Sequence, residues 1–122
     1  MPTSGASSVE ARLYLTQPTR IDPLRVRFSQ RSISPRFRDG RSIEDLADGL
    51  RSGRVVPAEV PPIPLMERGG MLYTLDNRRL EAFRRAGVDV PYIMAGPRDV
   101  SIFSRRFTTQ NEGTSVVVRG AP

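Results

Sequence analysis

The stretch "YTLDNRRLEAFRRAG", Tyr73 to Gly87, decides the fold. It reads as the end of a strand running straight into an amphipathic helix. Leu80 and Phe83 share one helical face, and Gly87 follows in the position where a left-handed residue ends a helix. Asp76 stands at the N-cap, where a carboxylate accepts a free N–H and complements the positive end of the helix dipole. Arg78 and Arg79, in the first turn, run against that field. Glu81 and Arg85 pair at i, i+4. Arg79 borders the buried face and has no partner at that spacing. A half-buried guanidinium needs an anion. Either a carboxylate supplies it, from Asp76 or from the "FRDG" loop at Phe37–Gly40, or a ligand phosphate does.

Outward from this junction, "IPLMERGGMLYTL" predicts a hairpin, with strands at Ile63–Met66 and Met71–Leu75 and a Gly69-Gly70 turn. "VPYIMA" is a further strand. Upstream, "RSIEDLADGL" is a helix with Ser42 as cap, Asp45 imitating a capping box, Ile43, Leu46, Ala47 and Leu50 as its apolar stripe, and Gly53 as its stop. The prolines of "VVPAEVPP" make a rigid connection. "LRVRF" alternates, so Leu24, Val26 and Phe28 are expected on the inner face of a strand, and "SQRSISPRFRDG" follows as a loop. Pro97 opens a short helical turn, and "GTSVVVRG" is the last strand. Phe28, Tyr73 and Phe83 are expected in the core. Residues 1–22, rich in Ser, Thr, Pro and Gly, read as a tail or linker with a short ordered piece at Ala11–Leu15, leaving 23–122 as the folded domain. The order β, α, β, β, α, β, short helix, β predicts an α+β fold with a small mixed sheet and two main helices.

A chain of 122 residues suits one small domain with a modest core. It contains no Cys and no His, which excludes disulfides, thiolate or imidazole metal ligands and Ser-His triads. Proton transfer is left to carboxylates, Tyr, water or the backbone. The net charge is +6, and all 19 cationic residues are Arg. Such a surface suits phosphate-bearing or acidic partners. No apolar run reaches the roughly 18 residues of a membrane span, and the first residues lack a signal-peptide pattern. No membrane insertion is expected.

The segments "VRFSQRSISPRF", "IEDLADGLRSGR" and "PPIPLMERGGMLYTLDNRRLEAFRRAGVDVPYI" resemble, in order and spacing, the ParB-like (ParB/sulfiredoxin) fold over residues 24–95. In that family a Gly-x-x-Arg turn handles nucleotide or nucleic-acid phosphate. By position Arg79 matches its Arg and Ala82 the small residue after it. The family's Gly falls on Asp76 here. An aspartate does not allow the same close backbone approach to a phosphate, but it can bind a divalent cation or orient a water, which favours a hydrolytic role. The same run together with "RFTTQNEGTSVVVRG" is similar to C-terminal toxin domains of bacterial polymorphic toxins, Rhs-type proteins included. The resemblance implies a secreted or injected effector that acts in the target-cell cytoplasm, with nuclease activity, and an acidic immunity protein as partner.

The candidate site follows from both readings. Arg78 and Arg79 would bind phosphate, with Arg38 of "FRDG" and Thr108 of "FTTQNEG" among the substrate contacts. Asp76 and Asp39 would activate water or hold a divalent metal such as Mg²⁺, and Asn77 and Gln30 would orient the substrate. Each has a plainer structural role open to it: Asp39 as a turn residue, Gln30 and Thr108 as local hydrogen-bonding groups. Two rival functions are a non-catalytic module gripping nucleic acid or an acidic protein, and a nucleotide-dependent phosphotransfer enzyme of the sulfiredoxin kind.

Overall fold

The computed structural model describes residues 19–120. The expected tail and its piece at Ala11–Leu15 lie outside them, apart from residues 19–22. The chain forms β1 (Thr19–Ile21), β2 (Arg27–Phe28), β3 (Ser32–Ile33), α1 (Ile43–Ser52), β4 (Ile63–Arg68), β5 (Met71–Thr74), α2 (Asn77–Ala86), β6 (Val90–Met94), α3 (Pro97–Ser104) and β7 (Val117–Val118), with 3-10 turns at Pro23–Arg25 and Pro57–Glu59. This is a small α+β domain whose main sheet is mixed.

The sheet order is β1-β6-β4-β5-β2. β4 and β5 form the antiparallel hairpin, β6 runs parallel to β4, β2 runs parallel to β5, and β1 closes the edge antiparallel to β6. Gly69 and Gly70 both take positive φ, +60° and +79°, as a two-residue hairpin turn requires. Alternation along β4 sends Ile63 and Leu65 to one face and Met66 to the other. On the first face Ile63 and Leu65 pack with Leu50 of α1, Leu80 and Phe83 of α2, Val26, Phe28 and Val90. On the second, Met66, Tyr73 and Leu75 receive Val100 and Phe103 of α3 and Phe107, whose ring meets Tyr73 edge-on at 4.8 Å.

The helices form where the side-chain pattern called for them. Ser42 accepts from the Asp45 N–H at 3.0 Å while Asp45 accepts from the Ser42 N–H at 3.1 Å, a complete capping box with Asp in place of the usual Glu. Gly53 and Gly87 end α1 and α2 in the left-handed region.

Four expectations need correction. The strand at Leu24–Phe28 shrinks to Arg27–Phe28, and Leu24 is 72% exposed instead of inward. The cause is Asp22-Pro23. The Asp22 carboxylate accepts from the Leu24 N–H at 2.9 Å, and Pro23 fixes the φ of a 3-10 turn. The stretch read as a loop after it holds β3. The terminal strand is only Val117–Val118, and it pairs with β3 in a separate two-stranded parallel sheet. A further strand, β1, occupies Thr19–Ile21, inside the stretch read as tail.

Candidate functional site

The strand-to-helix junction is built by its own side chains. The Asp76 N–H donates to Thr74 Oγ1 at 2.8 Å, turning the chain out of β5. Asp76 Oδ1 accepts from the Arg79 N–H at 3.2 Å, and Oδ2 accepts from Arg79 Nη1 at 2.7 Å. The carboxylate thus caps α2 and pairs with the guanidinium that opposes the dipole. Arg78 takes another route: its Nη1 donates to the Arg36 carbonyl at 2.9 Å, and its guanidinium lies 5.9 Å from the Phe37 ring centre. Arg78, not Arg79, ties the helix to the loop before α1.

Asn77 is buried, and its amide is spent on structure. Oδ1 accepts from the backbone N–H of Ser29 at 2.8 Å and of Gln30 at 3.3 Å, while Nδ2 donates to Ser29 Oγ at 3.0 Å. It latches the turn after β2 onto α2, which leaves its amide without a free group for the expected role of orienting substrate. Thr108 is likewise engaged, accepting from the Arg31 N–H at 2.9 Å, and it lies on neither groove wall.

Two open grooves meet at this junction. The first, about 630 Å³, runs between the Phe37–Arg41 loop, α1 and the Pro57–Glu59 turn. The second, about 490 Å³, runs between the turn after β2, α2 and α3. Arg38, Asp76, Arg78 and Arg79 line both and form the ridge between them. Asp39 faces the first groove and Gln30 the second. Arg106 and Arg119 complete the second groove, so that five arginines there surround one carboxylate, Asp76. The sequence reading missed both. Arg119 directly follows β7 and is remote from Asp76 in sequence, and only the pairing of β7 with β3 carries it there. Its Nη1 donates to Ser32 Oγ at 2.9 Å, which fixes it on the wall.

The carboxylates fit a metal poorly. Both oxygens of Asp76 face Arg79. Asp39 accepts from the Arg41 N–H at 3.0 Å and lies 3.4 Å from the Arg41 guanidinium. Among the described residues no three Asp or Glu side chains come together as a cation cage. Cation binding needs several oxygens free of other partners.

The shifted groups lie on α1 and α2. Hydrogen bonds from Arg51 and then Arg85 hold the Glu44 carboxyl below its ordinary range, and the Ser42 N–H and hydroxyl do the same for Asp45. Burial lowers the Arg84 guanidinium. It is stacked 4.5 Å over Phe28 and donates to the carbonyls of Pro23 and Thr114, each at 3.1 Å, and of Val26. Among the described residues no helix is long and apolar enough to cross a membrane. No family model, no curated protein and no solved structure matches the chain.

Proposed function

We propose that this domain grips the phosphate backbone of a nucleic acid in the second groove and cleaves it, as the toxin domain of a ParB-like polymorphic toxin delivered into a target cell. The observation that carries this reading is the charge of the groove: five guanidinium groups facing a single carboxylate. Guanidinium forks match phosphate oxygens in pairs, and clustered arginines on one wall bind a polyanion far better than a neutral ligand. The Arg79–Asp76 pair provides the chemistry. A phosphate entering the groove competes with Asp76 for Arg79. The guanidinium then neutralises the charge on the phosphoryl oxygens in the transition state, and the released carboxylate takes the proton of the attacking water. The phosphorus–oxygen bond to the leaving strand breaks, and its oxygen takes up a proton from solvent. An acidic immunity protein fits the same surface as the protective partner.

The test incubates the domain with plasmid, RNA and ATP, each with Mg²⁺ or with EDTA. Cleavage of a polynucleotide that is lost in Arg79→Ala supports the proposal, and the two buffers read any cation requirement. A second reading, a module that binds without cleaving, is favoured by one observation: the oxygens of Asp76 and Asp39 are already engaged by arginine. Tight binding of the polynucleotide with no product over hours would establish it instead. Hydrolysis of ATP alone would point to the phosphotransfer rival.

A further inference from the structure

The two grooves differ in chemistry. The charged side chains of the second are all arginine except Asp76. The first carries four carboxylates beside its arginines and an apolar floor of Phe37, Leu46, Val55 and Val60. Three of those carboxylates are occupied: Asp39 by Arg41, Asp45 by the Ser42 N–H, and Asp76 by Arg79. The fourth, Glu59, is exposed and makes no ion pair or side-chain hydrogen bond among the described residues. It ends the turn opened by Pro57, where its own N–H is tied to the Val56 carbonyl at 3.0 Å. Its backbone is therefore fixed while its carboxylate is free to accept.

Five arginines offset by four carboxylates leave this wall little net attraction for a phosphate backbone, whereas a nucleobase needs no net charge. A base offers a flat apolar face and an edge that carries a projecting amino group in adenine, cytosine and guanine, but in thymine and uracil only a ring N3–H between two carbonyls. A carboxylate accepts only, so it takes a projecting amino group of cytosine, adenine or guanine more readily than the thymine or uracil N3–H, whose two flanking carbonyl oxygens repel it. We infer that the first groove reads a base. Resting on the nucleic-acid reading above, a single strand lays its phosphates in the second groove and crosses the ridge at Arg38, Arg78 and Arg79. The base beside the ridge turns onto the apolar floor, and its amino group donates to Glu59. Glu59 is the residue that selects amino-bearing bases. A base held in a duplex has both faces stacked on its neighbours and cannot lie on the apolar floor, so the site favours unpaired strands.

The experiment measures fluorescence anisotropy in EDTA, with labelled single strands of about twelve nucleotides. One is oligothymidylate and the other alternates cytosine with thymine, so length and charge are equal and neither pairs with itself. An RNA pair, oligouridylate and alternating cytosine with uracil, runs in parallel. The expected result is about fivefold or tighter binding of the cytosine-bearing strands. Glu59→Gln, whose amide both donates and accepts, should erase that preference. Arg119→Ala should weaken all strands alike. Equal binding of the two strands by the unaltered protein, or a preference that survives in a folded Glu59→Gln variant, overturns the inference and leaves the nucleic-acid reading standing. Failure of every strand to bind overturns that reading too.

Discussion

At the scale of single residues, Asp76 does two things at once, and they can be separated. Asp76→Asn keeps an oxygen for the Arg79 N–H and nearly the same shape, so stability should change by less than about 1 kcal/mol. It removes the charge that pairs with Arg79 and the proton acceptor of the proposed cleavage. Cleavage should fall about 10²-fold or more while thermal melting barely moves. A folded Asp76→Asn protein with full activity would refute the hydrolytic role. Asn77 next to it should behave in the opposite way. Asn77→Ala strands the buried N–H of Ser29 and the half-buried N–H of Gln30 and should cost about 2–3 kcal/mol, seen as an earlier denaturant midpoint. Gly113 is the least replaceable glycine. A Cβ there would stand 2.3 Å from the Phe28 carbonyl oxygen, and its φ is +72°. The close approach exists because the Phe28 N–H donates to the Gly113 carbonyl at 2.9 Å. Gly113→Ala should destabilise by about 3 kcal/mol or more, and a smaller loss in a urea titration would show that this segment can shift.

At the scale of elements, α1 and α2 are joined by apolar packing beneath and by ions above. Glu44 lies 3.1 Å from Arg51 and 2.8 Å from Arg85, which also reaches Glu81 at 2.8 Å. These groups are exposed, so each pair adds little, but the depressed Glu44 and Asp45 carboxyls set an acid limit. A carboxyl whose folded pKa lies below its unfolded value stabilises the fold above the unfolded value, and that stability is lost as pH falls through the folded one. The melting temperature should therefore hold steady down to about pH 4.5, the ordinary value for Glu44, and drop below it. Ser42→Ala, which removes half of the capping box, should cost about 1 kcal/mol at neutral pH and flatten the acid slope. An unchanged slope would mean that the acid limit lies elsewhere.

At the scale of the whole molecule, the Arg84 clamp and the segment after α3 decide the shape of the site. Arg84 on α2 gathers the turn before β2 and the Thr114 carbonyl near the chain end. The Ser29 carbonyl accepts from the N–H groups of Thr108 and Thr109, and the Arg31 carbonyl accepts from Val117. These bonds hold the turn after β2 between α2 and the C-terminal segment, and so place Gln30 and Arg119 on one groove. With a net charge of +6 and the arginines clustered there, binding of a polyanion or of an acidic partner should weaken steeply between 50 mM and 200 mM salt. Salt-independent binding, measured by titration calorimetry, would place the contact away from the grooves.

The elements that read clearly in the chain are those whose signals are local. The capping box at Ser42–Asp45, the Gly69-Gly70 hairpin, the Asp76 cap and the Gly87 stop each depend on residues within a few positions of one another, so the α+β class, the two main helices and the strand-to-helix junction were legible in advance. Leu24 misled because alternation in "LRVRF" is outweighed by the Asp22-Pro23 turn. That competition is also local, but it is settled by one hydrogen bond that hydrophobic period does not see. What only the tertiary structure decided is which side chains share a groove. Arg38, Arg79, Arg106 and Arg119 come from four separate segments. Their meeting depends on long-range pairing of β3 with β7 and of β2 with β5, for which no short pattern of residues carries a signal. The same holds for the partners of Arg79 and Arg78. The sequence by itself demanded an anion for Arg79 and offered Asp76 among the candidates. Packing then sent Arg78 to the Arg36 carbonyl, because the loop before α1 lies against the first turn of α2.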